Sequence, residues 1–234
     1  MTEVRTTVLR YGPEARPADL HRPAGAADGR PVVLLWHGRG PDERDVLAPL
    51  ARAAAALGVR VLVPDWRPDA PDGGRSQLLD SAAHARELAA GARLVLAGWS
   101  LGAKAAVGAA LNPAGFAGWR PDAVVAFAGS YATPAPSTGT APLDDLPAAA
   151  RDLPVHLLHG SADTVVDPAR TRELHAALLA HGHPATLTEP ATDHAGVIGT
   201  AYSPTAARCL PTTAPHAREA LRRTAETLAA AALA

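Results

Sequence analysis

Ser100, Asp163 and His194 are of the types, and come in the order, that serine-based acyl transfer requires. Ser100 is the centre of Gly98-Trp99-Ser100-Leu101-Gly102, where the apolar run Leu94 to Ala97 breaks into a turn and an Ala-rich segment of helical character follows. A serine hydroxyl is a poor nucleophile. Glycines on both sides let the backbone turn tightly enough to lift its Oγ out of a sheet towards a base. That base in turn needs an acid to fix its tautomer and to stabilise its cationic form. Asp163 follows the apolar run Val155 to Leu158 and His194 follows Ala185 to Glu189, which completes the order Ser, acid, His.

Other residues compete for these places. Asp167, Asp144 and Asp145 are alternatives for the acid, and His37 and His159 for the base. The two histidines precede glycine at the ends of apolar runs, so their expected role is hydrogen bonding that holds a loop. His181 with His183, and His156 with His159, have no cysteine or carboxylate cluster beside them at ligand spacing, so no metal and no other cofactor is expected.

The elements that must position these groups are legible as an alternation of β-branched runs with Ala/Leu/Arg segments of helical period. That alternation predicts an α/β fold, a mostly parallel sheet with helices on both faces. Strands are predicted over Val4 to Arg10, Val32 to Trp36, Val59 to Val63, Leu94 to Ala97, Ala123 to Ala128, Val155 to Leu158 and Ala185 to Glu189. Helices are predicted over Arg44 to Leu57, Ser76 to Ala90, Pro168 to Leu179 and His216 to Leu233. Two Pro/Thr/Ala-rich stretches, Tyr131 to Pro142 and Gly199 to Pro215, read as irregular connections or as substrate walls. In an open parallel sheet ligands bind beyond the carboxyl ends of the strands, and His37, Asp65, Ser100, Asp163 and His194 all fall there.

At 234 residues, 47% of them hydrophobic, the chain is long enough for one sizeable core, and a single domain over 1–234 is expected. A formal net charge of −1 offers no basic stripe for nucleic acid, which points to a small-molecule partner. No apolar run reaches membrane-spanning length, so no membrane partner is expected. The first residues lack the basic cluster and apolar segment of a signal peptide, and Cys209 is the only cysteine, so a reducing, cytoplasmic setting is expected. The Ala-rich closing helix has a stripe that fits its own sheet or a second copy, leaving a homodimer open.

With these motifs in place, the chain resembles the α/β-hydrolases along essentially its whole length, and most nearly small bacterial carboxylesterases and dienelactone-hydrolase-like proteins. Gly98-Trp99-Ser100-Leu101-Gly102 is similar to the family's nucleophile elbow, His37-Gly38-Arg39-Gly40 to its oxyanion loop, and His159-Gly160-Ser161-Ala162-Asp163 to its acid loop. The resemblance implies an eight-stranded sheet without a large cap, and hydrolysis of small soluble esters through Ser100, Asp163 and His194; a thioesterase, an amidase or formamidase, or a perhydrolase with the same three residues, and a noncatalytic ligand-binding protein of this fold, are the alternatives. It also implies an oxyanion hole made by the amides of Arg39 and Leu101. Serine stands where dienelactone hydrolases have cysteine, which argues against their lactone substrate. The Arg39 side chain either draws in a substrate carboxylate or points to solvent. Trp36, Trp66, Trp99 and Tyr131, at or just past strand ends, are candidates to line an acyl or alcohol pocket.

Overall fold

The computed structural model describes residues 2–25 and 29–234. Its centre is a sheet of eight strands: β1 (Val4–Tyr11), β2 (Arg16–Pro23), β3 (Val32–Trp36), β4 (Arg60–Pro64), β5 (Leu94–Trp99), β6 (Ala123–Phe127), β7 (Val155–Leu158) and β8 (Ala185–Thr188). They lie in the order β1-β2-β4-β3-β5-β6-β7-β8. β2 runs antiparallel to both β1 and β4, and every other pairing is parallel. Every residue of β3, β4, β5 and β6 is buried, as continuous apolar runs covered on two faces must be.

Because strand side chains alternate, each strand feeds two separate cores. Leu34, Trp36, Leu96, Val124 and Leu157 point to one face, under Leu78 and Ala85 of α2 (Arg75–Ala89), Ala103 and Ala106 of α3 (Leu101–Leu111) and Leu174 and Leu178 of α5 (Ala169–Ala180). Val33, Leu35, Val95, Ala97, Val125 and Phe127 point to the other, under Leu50 and Ala54 of α1 (Ala48–Ala56) and Leu228 and Ala232 of α6 (Pro215–Leu233). Register fixes where the chemistry falls. Trp36 pairs with Gly98, Trp99 with Phe127, Phe127 with Leu158 and Leu158 with Thr188, so β3, β5, β6, β7 and β8 all end on one edge of the sheet.

Three elements depart from the sequence reading. β2 supplies the eighth strand, although its sequence, Arg-Pro-Ala-Asp-Leu-His-Arg-Pro, carries no strand-like pattern. It is held by ladder hydrogen bonds to both neighbours and by the Asp19–Arg44 ion pair at 3.0 Å. Residues Arg44–Leu47 form a separate 3-10 turn before α1, since Arg44 is drawn away to Asp19 and Asp65 and Pro49 restarts the helix. The stretch Gly199 to Pro215 contains a hairpin, β9 (Thr200–Ser203) with β10 (Arg208–Pro211). The stretch after β6 holds only one helical turn, α4 (Pro142–Asp145), and a 3-10 turn, so no large cap covers the strand ends. Among the described residues no helix is long and apolar enough to cross a membrane.

Candidate active site

Ser100 joins the end of β5 to α3 with φ 57° and ψ −116°, a conformation that costs a non-glycine residue on the order of 1–3 kcal/mol and persists only where the surroundings enforce it. Those surroundings are visible. The Ser100 amide donates to the Phe127 carbonyl at 2.8 Å, and a Cβ at Gly102 would run into the carbonyl oxygens of Trp36 and His37. Glycine at 102 is therefore what lets the start of α3 press against the end of β3. On the same side, a Cβ added to Gly38 would lie 3.4 Å from Ser100 Cβ. The loop bearing Arg39 thus sits directly against the turn bearing Ser100 and Leu101.

Asp163 is held from all sides. Asp163 Oδ1 accepts from the amides of Val165 and Val166 at 2.8 and 2.9 Å, and Oδ2 faces His194 Nδ1 at 2.7 Å and His159 Nε2 at 3.0 Å. Burial by itself raises the pKa of this carboxyl, but the bonds from His159, His194 and the Val166 amide outweigh it and hold the group well below the usual carboxylate range. The loops carrying acid and base also pack backbone to backbone. A Cβ on Gly160 would collide with the carbonyls of Thr192 and Asp193, so only glycine lets the chain between β7 and Asp163 come this close to the segment leading to His194.

Hydrogen bonding sorts the histidines. His37 has no exposed surface; its Nδ1 donates to the Gly38 carbonyl at 3.1 Å and its Nε2 accepts from the Trp66 amide at 3.1 Å, leaving no nitrogen for a reaction. Burial pushes its pKa down to about 3, in keeping with a neutral ring. His159 is also fully buried. Its Nε2 faces Asp163 Oδ2 and the Val166 carbonyl, which only accept, so that nitrogen carries a proton, while Nδ1 meets Thr171 Oγ1 at 2.6 Å. His194 engages Asp163 through Nδ1, which leaves Nε2 for proton exchange. Trp99 steers it: the indole Nε1 donates to the His194 carbonyl at 2.9 Å and the two rings lie 5.1 Å apart.

The other carboxylates have structural partners. Asp167 accepts from the Ala169 amide at the start of α5, Asp145 from Thr140 and Asn112, and Asp65 from Arg44; Asp144 is exposed. Of the aromatic residues expected to line a pocket, Trp36, Trp66 and Tyr131 belong to the core instead. Trp36 and Trp66 are wholly buried and Tyr131 is 1% exposed. Trp36 lies edge-on to Phe116 and donates to Ser81, Trp66 lies against the His37 ring, and Tyr131 packs into the same core as Trp36, its buried hydroxyl without a hydrogen-bond partner among the described residues. Trp99, 6% exposed, reaches the site through its contacts with His194 and through its ring edge, which lies against Gly38. Arg39 is exposed. Lys104, which the sequence reading passed over, lies one turn into α3 and donates to Thr133 Oγ1 at 2.5 Å. Its signal in the sequence is rarity, since it is the only lysine of the chain. No group of three or more His, Cys, Asp or Glu side chains among the described residues is placed to hold a metal ion.

A strained serine between a parallel strand and a helix, with an aspartate–histidine pair on the loops beyond the next strands, defines the α/β-hydrolase fold, and this chain has it. No protein-family model and no curated protein matches the sequence. Solved structures do match. Carboxyl esterase 2 of the fungus Tuber melanosporum is 16% identical at a TM-score of 0.71, with 99% of this chain and 87% of that one covered. A Klebsiella pneumoniae protein assigned as a dienelactone hydrolase is 20% identical at 0.71, over 97% and 99%. A thermostable esterase of Pseudomonas putida is 16% identical at 0.71, over 99% and 83%. At these identities the likeness is one of fold.

Proposed function

We propose that the protein is a serine hydrolase that cleaves carboxylic esters of small, soluble substrates. The observation that carries this reading is the Asp163–His194 bond of 2.7 Å, joined through Trp99 to a serine held in a strained turn, with both rival histidines committed to other partners. In the proposed reaction Ser100 Oγ attacks the acyl carbon while its proton passes to His194 Nε2. Asp163 keeps Nδ1 protonated and stabilises the imidazolium. The amides of Leu101 and Arg39 donate to the carbonyl oxygen as negative charge develops on it, a contribution worth about 3–4 kcal/mol per donor in comparable sites. The imidazolium then protonates the departing alkoxide. Water, deprotonated by the same histidine, releases the acid and restores Ser100. The ester-cleaving names of the structural neighbours agree with this reading, and the lack of a large cap favours short acyl chains.

Hydrolysis of p-nitrophenyl esters from acetate to octanoate by wild type and Ser100→Ala tests it. The expected result is turnover with an optimum at short acyl length and an initial burst of p-nitrophenol, lost by roughly 10⁴-fold or more in the variant. Turnover that survives Ser100→Ala would overturn the mechanism, and no turnover of any ester by the folded protein would overturn the ester reading.

A further inference from the structure

Two positive charges stand at the mouth of the site with no counter-ion. Lys104 is half-buried on the first turn of α3, four residues beyond Ser100, and its Nζ donates only to the exposed hydroxyl of Thr133, on the loop after β6. Arg39 is exposed on the loop after β3, next to Gly38, which lies against Ser100. Among the described residues neither has a carboxylate within ion-pairing distance, whereas Arg16, Arg44, Arg67, Arg120, Arg170, Arg172, Arg208, Arg222 and Arg223 each do. The carboxyls nearest Arg39 along the chain are engaged elsewhere: Asp42 pairs with Arg16, and Glu43 folds back over Gly40, takes up its amide and feels the charge of Arg208.

An ammonium taken partly out of water without an anion is disfavoured. Burial first, and then the charge of Arg39, hold the Lys104 pKa below the ordinary lysine range. A lysine serving structure alone would pair with a carboxylate, as Arg44 does, or bond to backbone carbonyls, as Arg30 and Arg75 do, or extend into solvent. Lys104 instead stays against the site beside a second cation. The Thr133 hydroxyl, which accepts from Lys104, still has its own proton to donate. Two cations and one hydroxyl, from the loop after β3, the first turn of α3 and the loop after β6, therefore gather next to the turn that carries Ser100, a donor set suited to a two-oxygen anion.

We propose that Arg39, Lys104 and Thr133 form an anion subsite beside Ser100, so that the ester hydrolysed carries a carboxylate on its acyl or alcohol part. The proposal rests on the serine hydrolase reading. Two matched pairs of esters test it: mono-p-nitrophenyl glutarate against p-nitrophenyl pentanoate for the acyl part, and p-acetoxybenzoate against its methyl ester for the alcohol part.

For at least one pair, wild type should favour the anionic ester in kcat/KM by about tenfold or more, the scale of one charge-assisted contact. Lys104→Gln should reduce that ratio by most of this factor, and Lys104→Arg should keep it. Wild type that favours the neutral ester in both pairs, or a ratio that Lys104→Gln leaves unchanged, overturns the subsite. So does a variant that slows both esters of a pair alike, which is what loosening the Thr133 loop would do. If the neutral esters are turned over through Ser100 without discrimination by charge, the subsite fails and the hydrolase reading stands. If no ester is turned over, calorimetric titration with glutarate decides: binding by wild type, weakened about tenfold in Lys104→Gln, supports the subsite, and no binding overturns it.

Discussion

The two sides of the site are built differently. On the acid side, every polar atom of Asp163 and His159 has a partner within the chain, and Gly160 locks their loop against the segment leading to His194. On the mouth side, Arg39 is exposed, Lys104 has a single hydroxyl partner, and the loop carrying Thr133 has no helix beyond one turn. The acid side holds Asp163 and His194 in a geometry that does not depend on what is bound, which is what the proposed proton transfer needs. The mouth side has unfilled bonding capacity, which is what a surface needs if a substrate is to complete it. Changes on the first side are therefore expected in kcat, and on the second in the choice between substrates.

The largest effect that would sharpen this contrast is expected at Asp163. In Asp163→Asn, an amide can turn its oxygen to the Val165 and Val166 N–H groups only by pointing its NH₂ at His159 and His194, which both present N–H to that position. One imidazole must then change tautomer, and a His194 protonated on Nε2 can no longer act as the base. A loss of about 10⁴-fold in kcat, with KM little changed, is expected from steady-state kinetics. A loss below tenfold would mean that the acid side is not the fixed half of the site.

A smaller effect concerns stability, and it asks whether the mouth is anchored from beneath. His37 is buried at the base of the loop after β3 with its pKa pushed down by burial to about 3, and His21, between β1 and β4, is pushed by burial to about 4. Both lie below the unfolded value of about 6.5, so the unfolded chain takes up protons first as the pH falls. Their contribution to stability is complete above pH ~6.5 and is lost as the pH falls towards the folded values, by about 2 kcal/mol each at pH 5. Urea unfolding at pH 7 and pH 5 should show this loss, and His37→Asn should remove about half of it. Stability that stays flat over that interval would mean that the ring under the mouth is not held neutral.

Legibility in the sequence follows the same division. The central strands are readable, because burial on both faces demands continuous apolar runs, and Ser100 follows such a run directly, whereas Asp163 and His194 lie on loops several residues past β7 and the half-exposed β8. β2 was not readable, since its pairing comes from its neighbours and an ion pair rather than from its own pattern. Trp36, Trp66 and Tyr131 were misplaced because position at a strand end does not say which way a side chain points. Alternation sends Trp36 into the core with Leu34. Lys104 was overlooked because helical position 104 reads as an ordinary solvated residue until the loop after β6 is folded against it. The hairpin β9–β10, built from a Pro-flanked, weakly apolar segment, had no period to reveal it.

The central claim is that a covalent intermediate forms on Ser100 with His194 as its base. It is tested most directly by mixing the protein with p-nitrophenyl acetate, quenching in acid within the burst, and locating the acetyl group by peptide mass mapping. The account predicts an acetyl group on the peptide containing Ser100 in wild type, and none on that peptide in His194→Ala under the same conditions. An acetyl group found on another residue, or equal labelling of Ser100 without His194, would contradict it.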